Sequence, residues 1–124
     1  MSRLHIKNGR LIDPAEKLDE ISDLFIENGR IASINFKPDS FTADTTIDAT
    51  GLTVIPGIVD LCARLREPGD EHKADIKSET IAAATAGITT LCFPPDTQPV
   101  IDEPSVIELI NHKVNKSSYS KVST

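Results

Sequence analysis

The residues of this chain best suited to chemistry lie on one short run, Ile58-Val59-Asp60-Leu61-Cys62-Ala63-Arg64-Leu65-Arg66-Glu67. The run begins as a nearly continuous apolar stretch, the pattern of a strand buried on both faces. Alternate residues of a strand point to the same side, so Cys62 and Arg64 share a face. Cys62 can ligate a metal as a thiolate, whereas Arg64 offers only donors and a permanent positive charge. Asp60 interrupts the apolar run and requires a specific partner. The three histidines, His5, His72 and His112, form no metal-spaced pair. A metal site needs three or four convergent groups, so each reads as a partly exposed polar residue.

The elements that carry these residues fall into two parts. Ile6-Lys7-Asn8-Gly9-Arg10-Leu11 recurs twenty positions later as Ile26-Glu27-Asn28-Gly29-Arg30-Ile31. Each copy sets Asn-Gly between alternating apolar runs, the strongest short hairpin signal. Strands are expected at 3–7, 10–12, 23–27 and 30–35. Pro14 to Asp19 is expected as a polar connector, and 37–46 as a loose surface loop. A strand, a turn and a second strand follow to the Pro56-Gly57 break. Beyond it the pattern is strand 58–63, helix 75–87 ended by Gly87, strand 88–93, and a helix opened by Pro104. The tail Ser117-Ser118-Tyr119-Ser120 is expected to fray. Residues 1–55 therefore read as part of a small β-sandwich-type domain of hairpins, and 56–124 as the start of a β/α barrel. The fold class is α/β, with two βα units in right-handed parallel order. Two units cannot close a barrel, which takes about 250 residues and eight strands.

Composition narrows the function classes. The 124 residues are 39% hydrophobic and 26% charged, with 4% aromatics and no Trp, so the core must be aliphatic. A net charge of −6 argues against general nucleic-acid binding, which needs a concentrated basic patch. Lys113, Lys116 and Lys121 are too dispersed to make one. No apolar run approaches the ~20 residues of a membrane span. Cys62 and Cys92 sit in apolar strand-like segments, which suits reduced thiols and a cytoplasmic setting.

Pro56-Gly57-Ile58-Val59-Asp60-Leu61-Cys62-Ala63-Arg64-Leu65-Arg66-Glu67-Pro68-Gly69 resembles the signature of the dihydroorotases, metal-dependent β/α-barrel enzymes of the amidohydrolase superfamily. That family carries Asp-x-His-x-His followed by x-Arg-Glu-Pro-Gly. The resemblance continues through Thr89-Thr90-Leu91-Cys92-Phe93-Pro94-Pro95-Asp96-Thr97-Gln98-Pro99-Val100, where the family has Met-Pro-Asn-Thr-x-Pro. It covers essentially the whole chain and implies the N-terminal part of a longer protein.

The departures bear on function. At the two histidine positions stand Cys62 and Arg64, so the metal site implied by the resemblance is degenerate and no zinc is expected. The resemblance assigns the substrate carboxylate to the positions of Arg66 and Asp96. An ionised Asp96 repels an anion, so Arg66 is expected as a leftover paired with Asp96 or Glu67. No catalytic residue is assigned. The pattern is similar to that of the non-catalytic dihydroorotase-like subunits that partner aspartate carbamoyltransferase. Two alternatives stand beside that reading. One is an active dihydroorotase with its metal reorganised around Cys62. The other is a β/α module that binds through an open sheet edge, and self-association through such an edge is expected as well.

Overall fold

The computed structural model describes residues 2–124. The chain divides into two compact units, Met1–Pro56 and Gly57–Thr124.

The first unit is a five-stranded sheet of β1 (Arg3–Asp13), β2 (Leu18–Glu27), β3 (Arg30–Ile34), β4 (Thr45–Asp48) and β5 (Thr53–Val54). β1 to β3 form an antiparallel meander, and β4 and β5 both run parallel to β1. The two Asn-Gly copies have different fates. Asn28 and Gly29 both take positive φ, 53° and 75°, and turn β2 into β3 as the hairpin pattern requires. Asn8-Gly9 lies inside β1, where the pairing register with β2 shifts between Ile6 and Gly9. It is a bulge and not the expected hairpin turn. Asn8 holds φ at 60° and donates its backbone N–H to Asp23 Oδ1 at 3.0 Å. A Cβ on Gly9 would lie 2.9 Å from Val54, so the bare backbone lets the neighbouring segment pack against the bulge. The reversal from β1 to β2 comes at Pro14–Lys17, where Lys17 takes φ 54°.

The 37–46 segment is not loose. Phe41 is buried, edge-on to Phe25 with centroids 5.3 Å apart. Asp44 holds Arg3 by both its backbone N–H and its carboxylate. A wide aromatic contact thus closes the sheet face where composition left few aromatics to spend.

Two carboxylates in this unit carry a pH dependence. Asp48 accepts the Thr50 hydroxyl at 2.6 Å and the Thr50 N–H at 3.1 Å, with Lys7 Nζ at 3.2 Å. These contacts, the Thr50 hydroxyl first, hold its pKa well below the usual carboxylate range. The Asn8 N–H, followed by His5, lowers that of Asp23. A carboxylate with a depressed folded pKa adds stability above its unfolded value and loses it as pH falls through the folded one. The unit should therefore weaken as pH drops below about 4. Asp48→Asn should flatten that acid limb in urea midpoints measured from pH 5 to pH 2. An unchanged slope would discount the Thr50 contacts.

The second unit contains β6 (Ile58–Asp60), α1 (Ile76–Thr85), β7 (Ile88–Cys92), α2 (Pro104–Ser117) and β8 (Lys121–Ser123). Its three strands are parallel in the order β6-β7-β8. α1 starts at a capping box in which Asp75 accepts the Ser78 N–H and Ser78 reaches back to the Asp75 backbone. Gly87, at φ 82°, follows its end as expected. α2 has Pro104 in its first turn and buries Val106 and Ile110. Leu65, Ile76, Ala83, Leu91, Phe93, Val106 and Ile110 form one core.

Two expectations fail in this unit. The tail does not fray. Ser120 is buried, its hydroxyl bonds the Ile88 carbonyl at 2.8 Å, and β8 pairs with β7. Hydrogen-bonded serines anchor the strand that a polar composition concealed. The run from 58 to 63 is not a strand buried on both faces either. β6 has three residues, among the described residues it pairs only with β7, and Ile58, Val59 and Leu61 are exposed. With one strand neighbour in these residues, its apolar side chains are only half covered by them. Two βα units are present, followed by a third parallel strand. Closure of a barrel is not seen in these residues. Among the described residues, no helix is long and apolar enough to cross a membrane.

Candidate functional site

The residues singled out by chemistry gather beyond the C-terminal ends of β6 and β7. Asp60, at the end of β6, finds its partner locally, its Oδ1 accepting the Cys62 N–H at 2.9 Å. That bond caps the bend where the strand stops. Ala63 N–H then bonds the Cys92 carbonyl at 2.9 Å, which keeps the departing chain beside β7. Cys62 is exposed.

Arg64 donates Nε to Asp96 Oδ2 at 2.5 Å, the two side chains being 58% and 42% exposed. The bond to Asp96, then its charge, then Cys62 raise the pKa of Arg64 further above its ordinary value. The guanidinium stays charged at every pH at which a protein folds.

The expected pairing of Arg66 with Asp96 or Glu67 does not form. Asp96 is taken by Arg64. Glu67 is taken by Lys113 of α2 and by the N–H of Ile76, the latter at 3.0 Å from Oε2. The reason is electrostatic, since Glu67 faces both an ammonium and the positive end of α1. Arg66 itself holds φ at 66°, and its carbonyl accepts the Asp70 N–H at 2.8 Å, closing a tight turn. Its side chain shares with Arg64, Gly69, Asp96, Thr97 and Gln98 a cleft of about 70 Å³. A broader recess of about 480 Å³ touches Asp60, Cys62 and Arg64 on one side and Glu79, Ala83 and Ile88 on the other.

The histidines stay out of this site. His72 and His112 are exposed. His5 belongs to the first unit, where Nε2 lies 2.8 Å from Asp23 Oδ2 and the ring stacks on Phe25 at 4.5 Å. Among the described residues, no three His, Cys, Asp or Glu side chains converge. A divalent zinc does not fit the donor set. Of the two alternate positions that would face it, one carries a fixed positive charge already bonded to a carboxylate.

Sequence reasoning missed two members of this site. Lys113, read as one of three lysines too dispersed for a basic patch, is the partner of Glu67 across 46 positions of sequence. Gly69 looked like part of a motif. A Cβ there would lie 2.5 Å from the Gln98 carbonyl oxygen, so this glycine is where the two loops touch. Only the conformational freedom of glycine hinted at such an approach.

Residues 51–123 match the family model described as dihydro-orotase-like. A dihydroorotase-like protein of Pseudomonas aeruginosa is 47% identical over 119 residues, which is 96% of this chain and 28% of that protein. A dihydroorotase of Syntrophotalea carbinolica is 43% identical over 121 residues, 97% of this chain and 28% of its own length. Among solved structures, an L-hydantoinase from Arthrobacter aurescens is similar with a TM-score of 0.86, over 99% of this chain and 27% of that one. At 24% identity that likeness is one of fold alone. A D-hydantoinase reaches 0.77 at 31% identity, covering 98% of this chain and 26% of that one. The chain thus spans about 28% of the length of the curated relatives it matches.

Proposed function

This chain belongs to the dihydro-orotase-like family, and we propose that it forms the N-terminal part of a member that has lost hydrolysis and supports the assembly of aspartate carbamoyltransferase in pyrimidine biosynthesis. In this reading β6, β7 and β8 are the first three strands of a β/α barrel, whose later elements cover the apolar side chains of β6.

The observation that carries the proposal is Arg64 at the strand end, with Nε on Asp96. Hydrolysis of a cyclic amide by this family calls on a metal to generate a nucleophile near neutral pH. A guanidinium can neither ligate a metal nor accept a proton from water. Asp96 at the same place disfavours the carboxylate of dihydroorotate, which leaves Arg66 to act alone against it.

The test is made on the intact protein. It should open the ring of dihydroorotate no faster than a protein-free control, with or without added zinc. It should also co-sediment with aspartate carbamoyltransferase at tens of micromolar, where interfaces of roughly 1,000 Å² register. Arg64→His and Asp96→Asn should leave the association unchanged, because both positions face the degenerate site. Zinc-dependent turnover would overturn the loss of hydrolysis, and absence of association would overturn the partnership.

One observation favours a second reading. Cys62 is exposed on the 480 Å³ recess beside Asp60, a position from which a thiolate can reach a cation. In that case the protein is an active dihydroorotase with a rebuilt metal site. About one metal ion per chain by elemental analysis, lost in Cys62→Ser, would decide for it.

A further inference from the structure

Two departures from the family pattern touch each other. Arg64 and Asp96 lie 32 positions apart, one beyond the end of β6 and the other in the loop after β7. Neither suits the place alone. Arg64 without Asp96 would set a second fixed cation beside Arg66 in the same narrow cleft. Asp96 without Arg64 would lose the donor on its Oδ2.

The surroundings make this pair part of a junction. The Gln98 N–H bonds the Pro68 carbonyl at 3.2 Å, and Gly69 lets the Gln98 backbone approach where a side chain would collide. Thr97 is buried, its hydroxyl on the Pro99 carbonyl at 2.6 Å. Leu65 and Phe93 are buried beneath. The cleft that remains, about 70 Å³, is far below the ~300–1,000 Å³ of small-molecule sites.

We infer that Arg64 and Asp96 act as one unit, an ion-pair clasp that closes this loop junction with the chain's own cation at a position where the resemblance implies a metal ligand. The inference rests on the metal-free reading above and deepens it. The clasp acts on local opening and contributes little to global stability, because both side chains are about half exposed and exposed pairs are weak. Salt should loosen it.

Hydrogen exchange at the backbone amides of Ala63 and Gln98, read in the intact protein, tests the clasp. Arg64→Gln and Asp96→Asn should each speed exchange roughly two- to fivefold. The double variant should match the single variants and not their product. The charge swap Arg64→Asp with Asp96→Arg should recover most of the protection, and Arg64→Lys should keep part of it even where a neutral variant fails to fold. Added zinc should leave the wild-type rates unchanged. Multiplicative effects, unchanged rates in the single variants, or protection by zinc would each overturn the clasp. The first two outcomes leave the proposed function standing, whereas protection by zinc would count against it as well. Conversely, hydrolytic turnover would remove the proposed function without altering the exchange cycle.

Discussion

Glu67→Ala should lower the stability of the second unit by about 2–4 kcal/mol, the largest effect of any charged residue in the chain. The side chain is 12% exposed and does two jobs. Its Oε1 pairs with Lys113 of α2, and its Oε2 accepts the Ile76 N–H at the start of α1. Truncation leaves a half-buried ammonium without its counter-charge and a helix N–H without its acceptor. Glu67→Gln should cost about half as much, since the amide oxygen still reaches Ile76 while the charge is gone. Adding Lys113→Met to Glu67→Ala should recover part of the loss, because the stranded charge goes with it. Urea unfolding followed by circular dichroism reads all three. A loss for Glu67→Ala within about 0.5 kcal/mol of zero would mean that the carboxylate is merely a surface group.

Ile110→Ala should cost about 2–5 kcal/mol, and Ile110→Val about 0.5–1.5 kcal/mol. Ile110 has 0% exposure and packs in the core that joins both helices to β7. Ile110→Ala should therefore lower the melting temperature of the second unit, while the first sheet unit keeps its strand signal. Thermal melts should show the early loss of helix ellipticity. Retention of the wild-type melting temperature would place the weight of the core elsewhere, on Leu65 and Ile76.

The residues of β6 and the loop beyond it tie these effects to the site. Glu67 fixes the turn that presents Arg66, Gly69 brings that turn against Gln98, and Arg64 reaches Asp96 across the same gap. A destabilised helix layer would loosen the cleft without touching it. The expected order is that Glu67→Ala raises exchange at Gln98 more than Arg64→Gln does, since it removes support from below the junction.

What the sequence determined by itself was local or patterned. The Pro-Gly break at 56–57, Gly87 after α1, Pro104 at the head of α2 and the Asn28-Gly29 turn are dictated by backbone geometry available to few residues. The linear motif from Pro56 to Gly69 was enough to indicate the family, and the fixed charge of Arg64 at a position where the resemblance implies a ligand was legible in the same run. Tertiary structure decided the rest. Asn8-Gly9 is the same dipeptide as Asn28-Gly29, yet it became a bulge because β2 continues to pair on both sides of it. The 58–63 run reads as buried by composition, but burial depends on neighbours, and among the described residues β6 has only β7 beside it. Above all, the partners of Arg64, Glu67 and Gly69 lie 29 to 46 positions away. A charge in sequence announces that it needs a counter-charge but not which one, because that choice is made by the loops and helices that bring Asp96, Lys113 and Gln98 within reach.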